Sequence, residues 1–181
     1  MSSIHPIALG DADAATSQAL NAVKAKLGAV PNMLRTLARS PVALNAYMQL
    51  SGVVSAGTLP ARQREKLALV VAEQNACGYC LAAHHALAGL AGLNADEIHA
   101  ARDGRSNEPR EAALLDLASA IVREQGKLSA DVVARFKARG LSDADILEVL
   151  ANVVLNIFTN YTNHIAGTEI DFPPVALTRA A

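Results

Sequence analysis

Helix starts and stops recur along the whole chain, and no run between them alternates convincingly at the two-residue period of a strand. Asp11 or Asp13 can cap a helix that runs to Leu27 and stops at Gly28. Val30-Pro31-Asn32 reads as a turn into a short helix ending near Arg39. Ser40-Pro41 is an N-cap followed by a first-turn proline, opening a helix that ends near Gly57. Thr58 and Pro60 open an amphipathic helix with Leu67, Val70 and Val71 on one side and Arg62, Lys66 and Glu73 elsewhere. Gly78 is the expected break before a fresh helix that runs to about Leu90. Asn94 with Glu97 three residues on has the pattern of a capping box. Further helices are expected over 108–125, from Ala130 to Gly140, and from Ser142 to Gly167, the last being the longest and most apolar. Hydrophobic residues make up 51%, much of it Ala, Leu and Val, and aromatics only 3%, so the expectation is an all-α fold in one domain over residues 1–181.

Composition removes several function classes. A net charge of −1 gives no electrostatic case for nucleic acid. No stretch approaches the ~18 uninterrupted apolar residues of a membrane span. Met-Ser-Ser-Ile-His-Pro has no basic region leading into an apolar run, so no secretory signal is expected and the location expected is cytoplasmic. Charged residues are only 18%, and the surplus apolar surface points to burial between subunits.

The only two cysteines stand together in Cys77-Gly78-Tyr79-Cys80, and His84 follows. On a helix, positions 77, 80 and 84 share one face. Two thiols and an imidazole aimed at one spot form a redox-site pattern. A cysteine at a helix N-terminus faces unpaired N–H groups and the positive end of the helix dipole, which favours thiolate. A thiolate attacks a peroxide oxygen and becomes a sulfenic acid, and a second thiol condenses with it to a disulfide. His84 can take or give the proton near neutrality. A carboxylate would orient it, and both Glu65 and Glu73 precede the cysteines closely enough to serve.

Pro60-Ala61-Arg62-Gln63-Arg64-Glu65, then eleven residues, then Cys77-Gly78-Tyr79-Cys80, three residues and His84, resembles the signature of the alkylhydroperoxidase D-like group of the carboxymuconolactone decarboxylase superfamily. Val30-Pro31-Asn32-Met33 and the run from Asn163 to Pro173 resemble flanking motifs of its peroxidase-related branch, so the likeness covers about residues 30–174. The resemblance implies a multi-helix fold assembled as homo-trimers or homo-hexamers. It implies a peroxidase in which Cys80 attacks the hydroperoxide, Cys77 resolves, and Glu65 and His84 relay protons. A thioredoxin-like or lipoyl-bearing thiol protein would then reduce the disulfide. No bound cofactor and no metal are implied. The best-studied branch often has a histidine where this chain has Tyr79. The decarboxylase branch lacks the paired cysteines, which argues against lactone decarboxylation.

Other readings use the same residues. The pair could shuttle electrons between proteins as a disulfide oxidoreductase or electron-transfer adaptor. Cys77, Cys80 and His84 with His85 or His164 could clamp zinc in a helical assembly, although no second compact ligand pair accompanies them. His84 and Glu65 could serve a non-redox acid–base reaction. Asn152, Asn156, Asn160 and Asn163 form a polar stripe on the last helix, read either as a solvent or subunit face or as a wall of the active-site pocket. Glu73 is expected at the surface or between subunits, Tyr47, Phe158 and Tyr161 in core or interface, and His85 on a flank. There is no glycine-rich phosphate loop after a strand, hence no basis for a nucleotide or flavin.

Overall fold

The computed structural model describes residues 2–178, with only the backbone of Lys26 and Leu27; Met1 and residues 179–181 of the expected domain lie outside them. Nine α-helices and one short 3-10 turn, Leu9–Asp11, make up the regular structure, and there is no strand among the described residues. The all-α expectation is met.

Helix α1 is Ala14–Leu27, α2 Asn32–Leu37, α3 Pro41–Ser55, α4 Ala61–Gln74 and α5 Gly78–Leu90. Then follow α6 Ala95–Arg102, α7 Pro109–Arg123, α8 Ala130–Ala138 and α9 Asp143–Ala166. Their ends follow local chemistry. Asp13 accepts from Thr16 N at 2.7 Å and starts α1, while Gly28 in the left-handed region stops it. Asn94 with Glu97, and Ser142 with Asp145, form full capping boxes on α6 and α9. Gly167 ends α9 in the left-handed conformation.

Helix α4 is the interior element. Every residue from Lys66 to Glu73 is buried, and α5, α6, α7 and α9 lie against it. Leu67 and Val71 join α7 and α9 in one apolar cluster, while Leu69 and Ala72 join α5 and α6 in another that holds both cysteines. A third cluster ties α1, α2 and α3. Burial of each such Leu or Val stabilises by about 1.5–3 kcal/mol.

Two expectations about charges on α4 are corrected. Lys66, placed by its spacing away from the apolar side of α4, is nevertheless buried and meets Glu111 at 2.6 Å. Glu73, expected at the surface or between subunits, is 1% exposed within the single chain. Its Oε2 accepts from Arg102 Nε at 2.9 Å and its Oε1 from Thr178 Oγ1 at 2.7 Å. Because α4 is surrounded, its polar side chains cannot all escape to water, and each carries a partner inward.

The break before α5 also differs in place. It falls at Asn75 and Ala76, where Ala76 has φ 51°, and Gly78 is already helical. Cys77 N donates back to Ala72 O at 2.9 Å, closing the turn. After α9, the non-helical segment returns across α5. Tyr79 Oη donates to Asp171 Oδ1 at 2.7 Å, Asn32 N donates to Asp171 Oδ2 at 2.8 Å, and the Phe172 ring meets Tyr79 edge-on at 5.7 Å. No helix among the described residues is long and apolar enough to cross a membrane.

Candidate active site

The left-handed turn at Ala76 makes Cys77 the N-cap of α5 and puts Cys80 in its first turn. Cys77 Sγ accepts from Cys80 N at 3.3 Å. Both cysteines are free thiols, 2% and 3% exposed. The side-chain hydrogen bond between them separates their acidities. That bond, with the positive charge of His84, draws the Cys80 pKa below the ordinary thiol value against the opposing effect of burial. The same bond together with burial pushes Cys77 up. Cys80 is therefore the more acidic thiol of the pair.

His84 lies one turn further along α5, and its Nδ1 is 2.8 Å from Glu65 Oε2 in the second turn of α4. An ionised carboxylate only accepts, so the Nδ1 position carries hydrogen and Nε2 is the nitrogen free to exchange a proton. Burial lowers the imidazole pKa, but the charge and hydrogen bond of Glu65 and the nearby Cys80 overcome it, and the net direction is up. Glu65, not Glu73, thus reaches the histidine. His85 is exposed, and His164 is exposed with its Nε2 donating to Asn75 O at 2.9 Å. No group of three or more His, Cys, Asp or Glu side chains among the described residues converges as metal ligands do.

A cavity of about 230 Å³ opens onto this cluster, its walls including Cys80, His84, Tyr47, Met33, Asn163 and Phe172. Cys77 does not line it. A larger cleft, about 570 Å³, runs between α7 and α8, but it holds no cysteine or histidine. Tyr79, in the place of the frequent family histidine, also lines the cavity, but its hydroxyl is engaged elsewhere: it accepts from Met33 N at 3.1 Å while donating to Asp171. Burial pushes its pKa up. Its role is to fasten the returning C-terminal segment.

Sequence reasoning left the asparagine stripe open, with the solvent or subunit face favoured. The structure buries all four residues, and Asn163 Nδ2 donates to Cys80 Sγ at 3.2 Å. The signal was present in their spacing of four, four and three, which puts them on one face of a helix otherwise rich in apolar residues. Tyr47 and Phe172 were not singled out for the cavity, since their placement depends on how α3 and the C-terminal segment meet α5.

Residues 41–107 match the model of the Carboxymuconolactone decarboxylase family. Over those residues the chain is similar to that family, and its fold is the alkylhydroperoxidase D-like one. The peroxidase-related protein of Ralstonia eutropha JMP134, described as an alkylhydroperoxidase AhpD core, superposes with a TM-score of 0.81 at 22% identity, over 94% of each chain. The peroxidase-related protein of Silicibacter sp. TM1040 gives 0.77 at 23% identity, over 92% of each. The debrominase Bmp8, in a variant bound to 2,3,4-tribromopyrrole, gives 0.80 at 20% identity, over 94% of this chain and 92% of its own. At such identities the likeness speaks for the fold. Among curated proteins none matches significantly.

Proposed function

We propose that this alkylhydroperoxidase D-like chain is a thiol-dependent peroxidase that reduces small hydroperoxides. The observation that carries the reading is the placement of Cys80. It is the cysteine on the cavity wall, its pKa is lowered, and the Glu65–His84 pair stands one turn away. The Cys80 thiolate attacks the distal oxygen of ROOH. The O–O bond breaks, the alkoxide takes a proton from imidazolium His84 and leaves as ROH, and Cys80 becomes a sulfenic acid. The Cys77 sulfur then displaces the hydroxyl group, which takes the thiol proton and leaves as water, and a Cys77–Cys80 disulfide forms. Two electrons and two protons from an external dithiol restore both thiols.

The burial of both sulfurs bears on the reductant. Exchange requires the attacking thiolate to reach a disulfide sulfur directly, and access decides the rate. Only Cys80 borders the cavity. A thiol on a narrow arm, as in a lipoyl group, fits this entrance better than a cysteine on the surface of a folded thioredoxin-like partner. The same access argument disfavours the disulfide-adaptor reading. The exposed apolar side chains of α9, Leu147, Leu150, Val154, Tyr161 and Ile165, supply a face for a homo-oligomer.

The deciding experiment measures peroxide consumption by wild type, Cys77→Ser and Cys80→Ser with dithiothreitol, dihydrolipoamide and thioredoxin as reductants. Multiple turnovers by Cys80→Ser would refute the reading. A second reading is favoured by the apolar cavity and the likeness to Bmp8: reductive dehalogenation of a small haloaromatic. There ArBr and two thiols would give ArH, the disulfide, a proton and bromide. Bromide release from a bromopyrrole, with no peroxide consumption, would move the assignment to that reaction.

A further inference from the structure

The four asparagines of α9 divide into two pairs. Asn152 Nδ2 donates to Glu148 O and Asn156 Nδ2 to Asn152 O, each at 2.8 Å, so both turn their amide hydrogens onto their own helix. The next two do not. Asn163 Nδ2 donates to Cys80 Sγ at 3.2 Å. Asn160 has its orientation set from outside: its Oδ1 accepts from Asn75 Nδ2 at 2.8 Å, which leaves the NH2 end unengaged. Asn160 lies one helical turn from Asn163 on the same face of α9, and its side chain favours the Cys80 thiolate without a hydrogen bond to the sulfur.

Burial makes this arrangement costly unless the amides have a use. Asn160 is 0% exposed and Asn163 5%. Asn160 Nδ2 and Asn163 Oδ1 are buried without a hydrogen-bond partner. A leucine would fill similar volume in an apolar helix with no such loss. An amide N–H beside a thiolate, by contrast, supplies fixed positive charge in a site with little water, and needs no reorganisation when the charge forms.

We infer that Asn160 and Asn163 form an amide cradle that binds the Cys80 thiolate, with Asn75 as the residue that points Asn160 at it. The inference rests on the reading of Cys80 as the reactive thiol. Asn75 sits in the turn before Cys77, and its backbone oxygen is held by His164 Nε2 at 2.9 Å. The α5 N-terminus and the cradle on α9 are thereby tied to one loop. The titratable groups that face Cys80 are Cys77 and His84 on α5, with Glu65 of α4 behind His84, and the phenols of Tyr47 on α3 and Tyr79 on α5. Helix α9 contributes no charge to the sulfur, only neutral donors. Its effect should therefore persist at high salt, when screened charges fade.

The test is the pH dependence of Cys80 alkylation by iodoacetamide, followed by mass spectrometry in wild type, Asn163→Leu, Asn163→Asp and Asn160→Leu. Alkylation needs no peroxide, so a failed peroxidase reading leaves the measurement intact. The expected result is a rise of about one pH unit in the Cys80 midpoint for Asn163→Leu, a tenfold smaller thiolate fraction below both midpoints. Asn163→Asp should raise it further, because a carboxylate repels the thiolate while keeping the shape of the side chain. Asn160→Leu, and Asn75→Ala measured beside it, should each give a smaller rise, and an unchanged midpoint in both would remove Asn160 from the cradle. A purely structural role would lower thermal stability and leave these midpoints in place. If a variant fails to fold, the wild type still decides: the Asn163 side-chain amide resonances should titrate with the Cys80 midpoint and stop doing so in Cys80→Ser. Unchanged midpoints in both Asn163 variants, or amide resonances indifferent to pH, would overturn the cradle.

Discussion

His84 Nδ1 and Glu65 Oε2 lie 2.8 Å apart, although the two residues are nineteen positions apart along the chain. The turn at Asn75 and Ala76 brings them together by folding α5 back along α4. The contact sets the tautomer of the imidazole and raises its pKa against the effect of burial. Glu65→Gln keeps the shape and removes the charge. Peroxide turnover is expected to fall on the order of a hundredfold, within the range of lost acid–base assistance. The His84 midpoint, read by NMR, should fall too. A variant with full turnover would remove Glu65 from the mechanism.

The two cysteines should fail differently. Cys80→Ser is expected to abolish turnover. Cys77→Ser should allow one oxidation and then stall as sulfenic acid or over-oxidise, since no resolving thiol remains. Cys80 borders the cavity and has the lowered pKa, whereas Cys77 has neither property. Mass spectrometry after one equivalent of peroxide separates the cases. Sulfenate on Cys77 in Cys80→Ser, with none on Cys80 in Cys77→Ser, would mean that the roles are reversed.

Much of this arrangement was legible because it is local. The stops at Gly28 and Gly167, the capping boxes at Asn94 and Ser142, and the shared face of Cys80 and His84 all depend on neighbours within one helical turn. The parts that were not legible depend on which distant segment arrives. Gly78 was the obvious breaker, yet Ala76 takes the left-handed turn, because Cys77 must return its N–H to Ala72 O. Glu73 is charged and so was placed outside, but Arg102 and Thr178 meet it from α6 and the C-terminal segment. Tyr79 could have been a donor in the site, and Asp171, ninety-two residues on, takes its hydroxyl instead.

The pH profile follows from the two shifted groups. Attack needs the Cys80 thiolate, whose pKa lies below the ordinary thiol value, so the rate is lost as pH falls through that lowered midpoint. Protonation of the leaving alkoxide needs imidazolium His84, whose pKa lies above 6.5, so the rate is lost as pH rises through that raised midpoint. A bell-shaped kcat/KM profile in the neutral range is expected. Cys77→Ser should move the acid limb upward, because the Cys77 hydrogen bond is the largest influence lowering Cys80. Iodoacetamide titration of the same variants provides the check without turnover.

Arg102 is a stability residue. It is buried, it pairs with the fully buried Glu73 carboxylate, and its Nη2 donates to Ala176 O at 2.6 Å. Arg102→Ala removes one side of a buried pair and should cost about 3–5 kcal/mol. The denaturant midpoint should fall accordingly, with a linked loosening of the segment around Phe172 that borders the cavity. A midpoint within error of wild type would show that the Thr178 hydrogen bonds satisfy Glu73 without the arginine.

The outward face of α9 should be an interface between copies of this chain. Leu147, Leu150, Val154, Tyr161 and Ile165 recur at spacings of three, four, seven and four, so they form one exposed apolar stripe along a 24-residue helix. The opposite side of the same helix is packed: Val149 and Val153 are 0% exposed, and Asn160 and Asn163 meet the turn before α5 and Cys80. One helix would thus carry the subunit contact on one face and the site on the other. Light scattering at micromolar concentration should give an oligomer. Leu150→Glu with Val154→Glu buries two carboxylates in the contact and should shift the mass toward the monomer. Turnover should then fall with dissociation, and raising the concentration of the double variant should restore part of it. A wild type that is monomeric throughout would refute the interface and leave the stripe as exposed apolar surface.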